Sequence, residues 1–303
     1  MSKFIKNILS FIISLMLMFV ILATSLTVFL KDTLLNPETY TKVIEKNEIC
    51  HEIYINIYSN IDYFVLTNNM PEDILDGVIT EDEIKQIVNN NIYYVIGFMN
   101  GEDSEIASID MEIYESRINT KIDKFLTTNS KDISDEFKNS VDYTKVKVLN
   151  IVKNDLEIIN LNELSKSSAL QHAARIGAFL NRSKLVMGMC GAIIIISLLF
   201  FIIWVKRKVR RYAWIGYSFL SSGVLIFMIG LIGYISGFYD NLAIGIPYMA
   251  MAVSLIIKKC LLKLTFIGLF VLIIGLCFIS IYWNHLYKRY KKKKLKEQTI
   301  EVE

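Results

Sequence analysis

The sequence predicts an all-α protein with four transmembrane helices and a large helical extracytoplasmic domain between the first and the second. Three observations carry that prediction. Four stretches of about 20 residues or more contain no Asp, Glu, Lys or Arg, long enough to cross a hydrocarbon core of ~30 Å at ~1.5 Å per residue. Charge is segregated along the chain: residues 31–184 hold 26 acidic against 16 basic side chains, whereas segments 1–7, 206–211 and 286–303 together hold 14 basic against 3 acidic. Within the soluble stretch, apolar residues recur every three to four positions, the period of a helix with one buried face.

The totals agree with such a hybrid. Of 303 residues, 53% are hydrophobic and 21% charged, too apolar for a soluble domain and too charged for a chain held wholly in a membrane. The net charge of +3 conceals the asymmetry. The positive charge belongs to membrane flanks, so no nucleic-acid partner is expected.

Residues 1–30 form a cytoplasmic N-terminus and the first span, Ile8–Leu30. Its apolar region exceeds the ~7–15 residues of a signal peptide, and Ala23-Thr24-Ser25 is a weak cleavage site. A retained signal anchor is therefore expected.

Residues 31–184 are long enough for a core of their own. Asn36 followed by Pro37 reads as an N-cap and a first-turn proline, with Tyr40, Val43 and Ile44 as the buried stripe. Ile49, Ile53, Ile57 and Ile61 continue at intervals of four. Thr80 and Glu83 have the spacing of a capping box ahead of Ile84, Ile87 and Val88, and Gly101 is the terminator. Ile109, Ile113, Ile118, Ile122 and Phe125 predict another helix, and Leu164, Leu170, Ile176 and Phe179 a last one from about Asn162 that continues into the second span. Val141–Val152 alternates enough to hold a short strand, although the domain as a whole reads as helical.

Residues 185–285 carry the remaining spans, Leu185–Val205, Tyr212–Ser236 and Leu264–Trp283. Between the last two, segment 238–263 contains Pro247 and an apolar run, Met249–Ile257, too short to cross. It is expected to form a separate interfacial or re-entrant helix whose lysines touch headgroups. Residues 286–303 form a basic cytoplasmic tail.

Basic residues near span ends mark the cytoplasmic side. Lys3, Lys6, the cluster Lys206–Arg211 and the tail all fall on one side if both termini are cytoplasmic. Trp204, Tyr212, Trp214, Tyr282 and Trp283 then cluster at the inner interface. Lys258, Lys259 and Lys263 are the dissenting charges, lying outside.

Gly216, Gly223, Gly230 and Gly237 recur every seven residues, Gly233 stands four before Gly237, and Gly268 and Gly275 repeat the interval in the fourth span. A seven-residue period keeps small residues on one face of a slightly supercoiled helix. These seven glycines are expected to be a helix-packing site between spans three and four. In the tail, Lys288, Arg289, Lys291, Lys292, Lys293 and Lys294 are expected to hold anionic lipid at the inner leaflet.

Catalytic and metal motifs are sparse. Glu48 and His51, with Cys50 and Glu52 beside them, share a helix face, but a di-iron site needs a second such pair and the chain has three histidines. Glu81-Asp82-Glu83 lacks the alternation of a calcium loop and reads as first-turn acids. No GxSxG, GK[ST] or HExxH occurs. The cysteines Cys50, Cys190, Cys260 and Cys277 form no CxxC, and only Cys50 and Cys260 are placed to meet outside the membrane. No cofactor, metal or enzymatic activity is expected.

The stretch Leu35-Asn36-Pro37-Glu38-Thr39-Tyr40, followed by Ile53-Tyr54, resembles the start of the insert in a loose group of uncharacterised bacterial multi-pass membrane proteins. Those combine an N-terminal anchor, a helical extracytoplasmic insert and a C-terminal bundle. The resemblance implies that architecture and brings no activity. The expected role is a cell-envelope membrane protein whose outer domain binds, senses or scaffolds, with lipid and an envelope protein as partners. A channel or transport component, lined by Ser221, Ser222 and backbone, is the alternative, and an envelope hydrolase without a familiar motif is the second.

Overall fold

The computed structural model describes residues 3–68, 70–102, 109–128, 135–157, 166–181, 183–205 and 208–300. Among the described residues there are ten α-helices and no strand. They are α1 (Lys3–Phe29), α2 (Pro37–Lys46), α3 (Ile49–Thr67), α4 (Glu81–Met99), α5 (Met111–Thr128), α6 (Asp135–Leu156), α7 (Ser168–Asn181), α8 (Ser183–Trp204), α9 (Lys208–Ser236) and α10 (Pro247–Ile300). A π-turn, Leu30–Leu34, extends α1, and short 3₁₀ helices occupy Glu72–Leu75 and Phe238–Asn241.

The chain divides into two compact units. The first comprises Met1–Asn36, Phe179–Ala243 and Val253–Glu303; the second comprises Pro37–Ala178 and Ile244–Ala252.

In the second unit Pro37 opens α2, where its missing N–H costs no helical hydrogen bond and its fixed φ suits the first turn. Along α3 the buried residues are Ile49, Cys50, Ile53, Ile57, Tyr58, Ile61 and Val65, one continuous helical face. Tyr58 reaches across to donate to the Ile79 carbonyl at 2.9 Å, so its buried hydroxyl is satisfied. Leu75, Val78 and Ile79 are wholly buried in the connection to α4. Thr80 then caps α4 in a reciprocal capping box with Glu83. The helix ends at Met99, and Gly101 takes a left-handed φ of +75° just beyond it. α7 lies against that end so closely that a Cβ on Gly177 would collide with the Met99 carbonyl.

Segment 141–152 contains no strand. It lies in α6, where Val141, Thr144, Val148, Val152 and Leu156 are buried, at steps of three, four and seven that make one helical stripe. The alternation in the sequence is a by-product of valine-rich composition. In α5 the buried residues are Tyr114, Ile118 and Ile122, while Ile113 is exposed. Ile176 and Phe179 of α7 are exposed rather than core. The expected helix start at Asn162, with Leu164, falls outside the described residues, as does position 182 between α7 and α8.

Among the described residues three helical segments are long and apolar enough to cross a membrane: Asn7–Leu34, Val209–Ser236 and Pro247–Lys292. The described apolar part of α8, Gly188–Trp204, is shorter than 18 residues. Leu17 and Ile21 of α1, Phe201 and Val205 at the end of α8, Ile215 of α9 and Val271 of α10 form a shared apolar core. The separate interfacial helix expected within 238–263 does not form. Pro247 begins a helix that runs unbroken to Ile300, because no residue after it interrupts the backbone ladder.

Candidate functional site

α9 uses two faces for two kinds of contact. On one, serines meet α1. Ser14 Oγ and Ser218 Oγ lie 2.8 Å apart, and Ser218 Oγ, a shared donor, reaches the Ser14 carbonyl at 2.8 Å and the Trp214 carbonyl at 3.0 Å. One turn on, Ser222 Oγ lies 2.8 Å from the Met18 carbonyl of α1 and 2.8 Å from the Ser218 carbonyl of its own helix. Ser218 and Ser222 are essentially unexposed. In an apolar medium a buried hydroxyl must find an acceptor, and these bond across the helix pair. Sequence reasoning missed this seam. Its signal was present as two serine pairs at i, i+4, Ser10 with Ser14 and Ser218 with Ser222. Ser222, assigned to a channel lining in the alternative reading, spends its hydroxyl on this contact.

On the other face glycines meet α10. A Cβ on Gly223 would stand 2.5 Å from Leu272 N, one on Gly230 2.6 Å from Thr265 N, and one on Gly216 2.8 Å from Ile279 Cγ1. Each seven-residue step up α9 is matched by a seven-residue step back along α10, so the two run antiparallel in fixed register. Gly268 and Gly275 of α10 face the Phe227 and Leu220 backbone in return. Gly233 meets only the Leu261 side chain, its Cβ 2.8 Å from Cδ2. Gly237 stands apart from this interface. It has a left-handed φ of +60°, ends α9, and a Cβ there would approach only Asp240 of its own turn. The seven-residue interval placed it in the stripe, but its backbone role is that of a helix terminator.

The tail residues Lys288, Arg289, Lys291 and Lys292 are exposed on the last part of α10. The side chains of Lys293 and Lys294 lie outside the described ones. At ~100° per residue, consecutive basic residues circle the helix rather than line one face. Lys288, Arg289, Lys291 and Lys292 thus form a collar around the helix.

The second unit carries a cluster of ion pairs where α2, α3, α4 and α5 approach. His51 Nδ1 lies 2.9 Å from Glu81 Oε2, Lys85 Nζ 2.7 Å from Glu45 Oε1, and Arg117 Nη2 2.8 Å from Glu83 Oε1. Arg117 also donates to the Val78 carbonyl at 3.0 Å. The hydrogen bond from Glu81 raises the His51 pKa, with Glu48 and Glu52 adding to it. At Glu83 burial works to raise the pKa, but the hydrogen bonds of Arg117 and Thr80 outweigh it and hold the carboxyl below its usual range. The three acids Glu81, Asp82 and Glu83 are the first turn of α4, where the helix dipole favours them.

Glu48 precedes α3 in a left-handed conformation, φ 53°. Among the described residues no group of three His, Cys, Asp or Glu is placed to hold a metal ion. Cys50, Cys190, Cys260 and Cys277 are free thiols. Burial pushes the Cys50 thiol pKa up; it lies in the wall of a pocket of ≈ 180 Å³ with Thr41, Ile44, Glu45, Lys85 and Tyr93. A raised thiol pKa means little thiolate, hence poor nucleophilicity.

No protein-family model, curated protein or solved structure matches this chain.

Proposed function

We propose that the protein is an integral membrane protein of the bacterial cell envelope whose extracytoplasmic domain, residues 31–184, binds, senses or scaffolds, without catalysis. Four helices cross the bilayer, Leu185–Val205 being the second, and both termini are cytoplasmic. The single observation that carries the reading is the partition of charge. The acidic stretch lies between apolar segments, and the dense basic clusters lie beyond them. The acidic balance of the domain favours a basic or cationic partner, and the tail collar adds attraction to anionic lipid of the inner leaflet, ~1 kcal/mol per basic residue near the surface.

Sidedness is the test. Cys50 is 6% exposed and serves poorly as a reporter. Tyr63 is 74% exposed, so Tyr63→Cys in a chain with its four native cysteines changed to Ser is the better probe. A membrane-impermeant maleimide added to intact cells should label Tyr63→Cys and leave Tyr287→Cys unlabelled until the cells are opened. The reverse pattern would invert the topology and end the proposal.

A further inference from the structure

We infer that the cavity between α2, α3 and α4 is a binding site for a small zwitterion, a free aliphatic amino acid, held by Glu45 at its ammonium and by Lys85 at its carboxylate. The inference deepens the binding role proposed for residues 31–184 and rests on it. It does not depend on which side of the membrane that domain faces.

The cavity measures ≈ 180 Å³ and lies wholly within the second unit. Two packed helices make its walls. Thr41, Ile44 and Glu45 come from α2, at the three–four spacing of one helix face. Lys85, Asn89 and Tyr93 come from α4 at steps of four, again one face. Cys50, in the first turn of α3, completes the lining. The floor is apolar and closed: Ile44 is 8% exposed and Cys50 6%. The rim is charged and open: the side chains of Glu45 and Lys85 are 62% and 46% exposed. A few polar groups converging over an apolar floor are the usual make-up of a small-ligand site, and the size falls below the ~300–1,000 Å³ of drug-sized pockets.

Charge selects the ligand. Glu45 Oε1 and Lys85 Nζ stand 2.7 Å apart, so one carboxylate and one ammonium meet at the mouth. Both are felt at the floor: burial raises the Cys50 pKa, and Lys85, Glu81 and Glu45 act on the same thiol through charge. Glu81 is engaged elsewhere, its Oε2 2.9 Å from His51 Nδ1. One pole of each sign remains. A simple anion would be repelled by Glu45, and a simple cation by Lys85. A molecule with an ammonium and a carboxylate on one carbon meets both poles favourably and turns the ion pair into a closed ring of four charges. An exposed pair contributes little by itself, so opening it to admit the ligand costs little. Lys85 uses one of its three N–H donors on Glu45 and has two more to offer. Tyr93 gives the wall an aromatic ring, which favours the ammonium, and the Asn89 amide and Thr41 hydroxyl add hydrogen-bonding groups. Ile44 and the un-ionised Cys50 suit an aliphatic side chain.

The test titrates the full chain, purified in detergent, with L-alanine, L-valine and L-leucine by calorimetry. Leucinamide, which lacks the carboxylate, and isocaproate, which lacks the ammonium, are parallel arms. At least one amino acid should bind saturably, and both one-charge analogues should bind at least about tenfold more weakly. Glu45→Gln and Lys85→Gln should each weaken amino-acid binding by at least about tenfold. Both should leave the unfolding midpoint without ligand in place, which separates lost charge from folding damage. Lys145→Gln, which breaks the Lys145–Asp123 pair elsewhere in the unit, should leave binding unchanged. No binding by any of the three amino acids, or equal binding of the one-charge analogues, would overturn the zwitterion. Binding that survives both Glu45→Gln and Lys85→Gln would overturn this site while keeping a binding role for the chain. Maleimide labelling from the opposite side would refute the topology and leave the site standing.

Discussion

His51 and Glu83 show how one local feature is tuned by residues far away in the chain. His51 gains its partner from α4, 30 positions on, and its pKa rises above the ordinary value of about 6.5. A raised histidine contributes stability that is complete below the ordinary pKa and is lost as pH climbs through the folded value. Titration of the His51 ring by NMR should give a midpoint above about 6.5, and Glu81→Gln should move it back down. Glu83 has the opposite sign. Its depressed carboxyl contributes stability above the ordinary carboxylate pKa, lost as pH falls through the folded value. Because Thr80 caps α4 through Glu83, Thr80→Ala should cost about 1 kcal/mol in denaturant unfolding. The capping box is readable in the sequence because both halves lie within four residues. The Arg117 partner, 34 positions away, is not.

At the scale of the element, the α9–α10 contact is decided by which atoms face each glycine. At Gly223 and Gly230 the nearest atoms are backbone, at 2.5 and 2.6 Å from an added Cβ, and backbone cannot step aside without moving the helix. At Gly233 the neighbour is the flexible end of Leu261, and at Gly188 of α8 nothing lies within 4 Å. Gly223→Ala and Gly230→Ala should therefore lower stability in detergent by about 1–3 kcal/mol, Gly233→Ala by less, and Gly188→Ala should be near neutral. Equal effects at all four positions would mean that helix propensity, not close approach, governs the outcome. The spacing of Gly216, Gly223 and Gly230 was legible because a seven-residue interval has one simple geometric consequence. Gly237 obeyed the interval yet ends the helix, since a glycine that lets helices touch and one that turns the chain look alike in sequence. α6 shows the same limit: valines at 141, 146, 148 and 152 serve a strand or a helix, and packing against α3 and α5 settled the matter.

For the whole molecule, the first unit's core of Leu17, Ile21, Phe201, Val205, Ile215 and Val271 draws on four helices and on no residue of the second unit. The Ser14–Ser218 contact at 2.8 Å should thus survive without the domain. Ser14→Cys with Ser218→Cys, in a chain with its native cysteines replaced by Ser, should form a disulfide under mild oxidant. It should do so in the full protein and in a variant with residues 37–178 replaced by a Gly–Ser linker. Failure in the full protein would refute the α1–α9 seam, and failure only in the shortened one would make the bundle dependent on its domain.

The sequence by itself determined that the chain is helical, that it carries segments apolar enough to cross a bilayer, and that charge is divided between them. Those properties follow from composition and from periods of three to seven residues, which short-range steric rules and solvation convert directly into local structure. Only the tertiary structure decided that segment 247–263 belongs to one long helix, that serines bind α1 to α9, and that His51 and Glu83 find their partners. Each of these joins positions by proximity in space, and a short-range pattern carries no information about which distant surface will arrive beside it.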